Sequence, residues 1–126
     1  TVDLVETFNS MTVASRAAID ETLKRRGLHV SADRLGDFCR RWKVAELSLF
    51  GSVLRDDFGP ASDIDVMVRF EPGTERRYYH LSEMREEMER LFGRPVDLVE
   101  RRVIEASENY IRRRHILDHA LPVYVA

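Results

Sequence analysis

Hydrophobic residues recur along this chain at two periods, and the change from one to the other marks out the elements. After Ser31, Leu35, Phe38, Cys39 and Trp42 fall at i, i+3, i+4 and i+7, which predicts a helix capped by Ser31 with one face on a core. Ahead of it, Thr12 to Arg26 is expected to be helical, with a weaker apolar side of Ala14, Ala17, Ala18, Ile19 and Leu23 and with Gly27 just past its end. Val44 to Phe50 is short and apolar, a strand ending at Gly51-Ser52, where a short helix should open. Gly59-Pro60 makes Asp57 to Ser62 a turn.

From Asp63 to Phe70 the pattern alternates strictly. Ile64, Val66, Val68 and Phe70 share one face of the predicted strand, and Asp63, Asp65, Met67 and Arg69 share the other. Glu71-Pro72-Gly73 ends it, and Tyr78, Leu81, Met84, Met88 and Leu91 then form the stripe of a long helix that Gly93 stops. Pro95 leads into Val96-Asp97-Leu98-Val99, a strand with one acid among apolar neighbours. Glu108 to Ala120 is expected to be helical, and Leu121 to Val125 is either a last strand or an extended arm. Two helices followed by βαβ and αβ give an α/β or α+β fold in a single domain.

Composition narrows the function. The 126 residues leave room for one core, and 20 basic against 22 acidic side chains give a net charge of -2, so no global field draws in nucleic acid or an anionic membrane. No strong nucleic-acid binding is expected. The lone Cys39 rules out an internal disulfide and a cysteine zinc cluster, and its place in an apolar stripe makes it a packing residue. With no stretch of about 20 apolar residues and no signal pattern, a cytoplasmic protein is expected.

The chemistry gathers at two carboxylates. Side chains two apart on a strand point the same way, so Asp63 and Asp65 converge, and such a pair is costly unless a cation sits between them. Oxygen-only ligands suit Mg²⁺, which joins one or two carboxylates to substrate phosphates. Gly51-Ser52 at a strand-to-helix junction supplies a phosphate site: glycine admits close backbone approach, serine offers a hydroxyl, and free amides favour an anion. Asp97 on the neighbouring strand is the candidate third carboxylate, able to complete a two-metal site and take a proton from an attacking hydroxyl. Each has a plainer reading beside it. Asp63 and Asp65 alone could be a solvated turn pair, and Asp97 could salt-bridge an arginine.

Leu49-Phe50-Gly51-Ser52, ten residues from Val53 to Ser62, and then Asp63-Ile64-Asp65 resemble the Gly-Ser, spacer, Asp-x-Asp signature of the nucleotidyltransferase superfamily that includes DNA polymerase β. Arg55, Ser62 and Pro95-Val96-Asp97-Leu98-Val99 are similar to its minimal, or MNT, branch, and the resemblance spans about Leu35 to Val125. Where that branch commonly has Arg-Ala-Arg-Gly after Gly-Ser, this chain has Val53-Leu54-Arg55-Asp56. The resemblance implies a mixed sheet flanked by helices, with residues 1–30 a helical extension and 31–126 the nucleotidyltransferase domain. It implies Mg²⁺, two ions, held by Asp63, Asp65 and Asp97, a triphosphate gripped by Gly51 and Ser52, and transfer of AMP from ATP. For minimal members it further implies a HEPN-domain ribonuclease toxin as partner, neutralised as an antitoxin would by adenylylation of a tyrosine. Occlusion of the toxin without catalysis, and transfer to a small molecule, are the alternatives.

Two features stay open. Arg55 suits either a phosphate or a local acid. Arg112-Arg113-Arg114-His115 is either a solvated helix face or a surface for RNA or an acidic partner, and His115 and His119 share a helix face without further metal ligands.

Overall fold

The computed structural model describes residues 13–56, 58–74 and 78–126. Helix α1 spans Val13–Arg25 and α2 Ala32–Arg41; β1 is Val44–Phe50 and β2 Ile64–Phe70, joined through a 3-10 turn at Gly51–Leu54. Helix α3 (Tyr78–Phe92), β3 (Val96–Glu100), α4 (Arg101–Glu105), α5 (Tyr110–His119) and β4 (Leu121–Val125) complete the chain. Thr12 and Asp57, where the first helix and the first turn were expected to begin, lie outside the described residues.

Four strands form one mixed sheet in the order β3-β2-β1-β4. β1 runs antiparallel to both β2 and β4, whereas β2 and β3 are parallel, with α3 as the crossover. The tail is therefore a paired strand and not a free arm, and Pro122 is tolerated because β4 is an edge.

The alternation in β2 sorts the two faces. Ile64, Val66 and Val68 join Leu47 and Leu49 of β1 in the main core, packed against Leu35, Phe38 and Cys39 of α2 and Met84 and Met88 of α3. Ser31 caps α2 as expected, its Oγ accepting from the Arg34 amide at 3.1 Å. Burial pushes the Cys39 thiol up, as suits a packing residue. Helix α1 enters the same core through Leu23, backed by Ile19, and its Asp20 Oδ1 accepts from the Ala32 amide at 2.6 Å. Ala17 and Ala18, placed on its apolar side by pattern, are exposed.

The other face carries a smaller cluster, Phe50, Met67, Ile104 and Ile116, formed where α4 and α5 pack against the sheet. Helix α4 was not foreseen. It has five residues with Ile104 alone buried, too short to show a period. Among the described residues, no helix is long and apolar enough to cross a membrane.

Candidate active site

The site grows from the end of β1. Phe50 is extended, and Gly51 then turns the chain at φ 72°, a left-handed conformation that a side chain disfavours. A Cβ at this position would collide with Asp65 Oδ2, so Gly51 is required twice over, by backbone angle and by space. Val53, fully buried, anchors the turn and leaves the Gly51-Ser52 backbone facing β2.

Sheet register places the acids. Phe50 pairs with Asp65 across β1 and β2, and Asp65 pairs with Asp97 across β2 and β3. Strands lie roughly 5 Å apart, so these two carboxylates leave neighbouring backbones on the same sheet face. Asp63, exposed, stands just before β2, and its carbonyl accepts from Ser52 Oγ at 3.4 Å. The Ser52 amide donates to the Asp65 carboxylate. Gly51, Ser52, Asp63 and Asp65 are thus brought together, with Asp97 facing Asp65 from the edge strand.

The field at this cluster is negative. Burial pushes the Asp65 carboxyl up, the charges of Asp97 and Asp63 add to the rise, and the Ser52 amide and Arg55 only partly oppose it. A carboxylate held in this state gains from a divalent cation, and all-oxygen donors suit Mg²⁺. Among the described residues no three His, Cys, Asp or Glu side chains form a ready-made metal cage. The donor set therefore fits an ion that retains waters and completes its shell on phosphate oxygens.

Two contributors, Arg94 and Phe58, were not singled out by sequence. Arg94, just before β3, lies 4.4 Å from the Phe58 ring centroid and donates to the Ser62 carbonyl at 3.4 Å, pinning the loop between Gly51-Ser52 and Asp63. Within that loop Ser62 Oγ accepts from the Gly59 amide at 3.1 Å. Arg55, left open above, is close enough for its charge to act on Asp65.

Known proteins resemble this chain in sequence and in fold. Over 64 residues, 51% of this chain and 64% of the relative, the sequence is 34% identical to a Methanocaldococcus jannaschii protein provisionally named a protein adenylyltransferase. The chain thus spans a little under two thirds of that curated relative. The solved structure of a provisionally assigned minimal nucleotidyltransferase is 29% identical, covering 81% of this chain and 93% of its own, at a TM-score of 0.58. A crystal structure of a toxin–antitoxin with AMP-PNP has the same fold at 16% identity, covering 75% of this chain and 73% of the matched one, also at a TM-score of 0.58. Residues 34–120 match the nucleotidyltransferase domain, and on that match the chain belongs to the nucleotidyltransferase-domain family.

Proposed function

We propose that this nucleotidyltransferase is the antitoxin of a cytoplasmic toxin–antitoxin pair, neutralising a HEPN ribonuclease toxin by transferring AMP from ATP to a tyrosine of that toxin. The observation that carries the reading is the junction of the Gly51-Ser52 turn with Asp65, itself in register with Asp97. The likeness to a protein provisionally named for protein adenylylation and the shared fold of a toxin–antitoxin with AMP-PNP support the acceptor class and the nucleotide.

Asp63, Asp65 and Asp97 would hold Mg²⁺, which supplies charge neutralisation on the triphosphate. The Gly51 and Ser52 backbone and the Ser52 hydroxyl bind the β- and γ-phosphates, and Arg55 adds positive charge beside them. Asp97 accepts the proton of the acceptor hydroxyl, whose oxygen attacks the α-phosphorus in line. The new bond joins that oxygen to the α-phosphorus, the bond from the α-phosphorus to the bridging oxygen breaks, and pyrophosphate leaves. The test is label transfer from α-phosphate-labelled ATP to the product of the neighbouring gene. Label on the partner supports the reading. A stable complex and blocked ribonuclease activity without label would assign neutralisation to occlusion instead.

A further inference from the structure

The second sheet face, beside Asp97, holds a groove of about 260 Å³. Phe50, Val99, Ile104 and Ile116 line it together with the charged Arg112, Arg113 and Asp97. Val103, part of this lining, is 56% exposed, and two further exposed large hydrophobic side chains, Tyr110 at 55% and Ile111 at 81%, stand on α5. An apolar surface of this kind, continuous with a reactive centre, marks a contact with another molecule.

Charge narrows the occupant. Arg113 donates to the Ser107 carbonyl at 2.9 Å and lies 5.3 Å from the Tyr110 ring centroid, while Arg114 bonds Tyr110 Oη at 2.8 Å and pairs with Asp118 at 3.5 Å. Among the described residues the exposed Arg112 guanidinium pairs with no carboxylate. A second copy of this chain would set arginine against arginine. An apolar lining with a cationic rim fits apolar side chains flanked by acids, a polypeptide segment more than a phosphodiester backbone.

From this juxtaposition we infer that the α4–α5 groove docks the acceptor polypeptide, engaging an acidic segment whose hydroxyl-bearing residue reaches Asp97. The inference rests on the proposed transfer of AMP to a protein and assigns the surface that selects the acceptor. Arg112 and Val103 act as specificity residues, touching the acceptor and not the triphosphate.

The probes are two synthetic peptides with a central tyrosine between apolar residues, one flanked by glutamates and the other by lysines. Binding is read by fluorescence anisotropy and AMP addition by mass spectrometry, with ATP affinity measured on the same proteins. The acidic peptide should bind at least about tenfold tighter, and R112E and V103E should each weaken it about tenfold. R112E should also narrow the gap to the lysine peptide, and ATP affinity should not move. Equal binding of both peptides, binding indifferent to R112E and V103E, or a loss of ATP affinity in R112E would overturn the inference. Charge-selective binding without AMP addition would uphold the docking surface and overturn the adenylylation reading instead.

Discussion

Gly51 and Asp65 occupy one another's space: the hydrogen that stands where a Cβ would be at position 51 is what lets the Asp65 carboxylate lie against the turn. The turn proposed to bind phosphate and the acid proposed to hold the metal are therefore one unit, held by the hydrogen bond from the Ser52 backbone N–H to the Asp65 carboxylate. G51A must either displace Asp65 or unwind the turn, and φ 72° adds about 1–2 kcal/mol of backbone strain. Nucleotidyl transfer should fall at least about a hundredfold while circular dichroism keeps the native helix content. A G51A protein with wild-type transfer rate would show that the two are not coupled.

Asp65 carries an electrostatic cost to the fold that its proposed role would explain. Burial and the charges of Asp97 and Asp63 disfavour its ionised form, so D65N should raise the thermal midpoint of the metal-free protein at neutral pH. The same variant should abolish transfer. Scanning calorimetry with and without Mg²⁺ reads both effects, since the metal should stabilise the wild type and leave D65N unchanged. A lower midpoint for metal-free D65N would contradict the electrostatic account.

Away from the site, Glu87 ties α3 to α2. Burial pushes its carboxyl up, but the Trp42 indole at 2.5 Å and the Arg41 guanidinium at 2.7 Å outweigh this and hold it below the ordinary value of 4.5. A group lowered on folding stabilises above its unfolded pKa and loses that contribution as pH falls through the folded one. E87Q should cost about 1 kcal/mol near neutral pH, most of it from Trp42 because Arg41 is largely exposed and screened. Urea titrations should show the difference shrinking as pH drops below 4.5.

Lys43 follows the end of α2 at φ 58°, the left-handed position where glycine usually stands, while its carbonyl accepts from the Glu71 amide at 2.9 Å. Its side chain is exposed, so K43G removes strain without opening a cavity. A gain of about 0.5–1 kcal/mol in chemical denaturation is expected.

Period made much of this fold readable. One buried face forces 3.6-residue spacing on α2 and two-residue alternation on β2, and the β2 alternation sets Asp63 and Asp65 apart from the main core. What lacked a local period was not readable. Helix α4 buries one residue, and the contact of Arg94 with Phe58 joins positions 36 apart with no trace in spacing. A short apolar run after Pro95 put Asp97 on a strand, yet its pairing with Asp65 depends on the β2–β3 register, which α3 sets from outside both strands. The groove beside Asp97 arises from α5, whose apolar residues follow no stripe because two of them, Tyr110 and Ile111, are exposed.

The account is tested most directly by the intact mass of the neighbouring-gene product after incubation with this protein, ATP and Mg²⁺, beside a D63N/D65N control. The account predicts mass gains in whole AMP units with the wild type and none with the double variant. An unmodified partner with the wild-type protein, or equal modification by D63N/D65N, would contradict it.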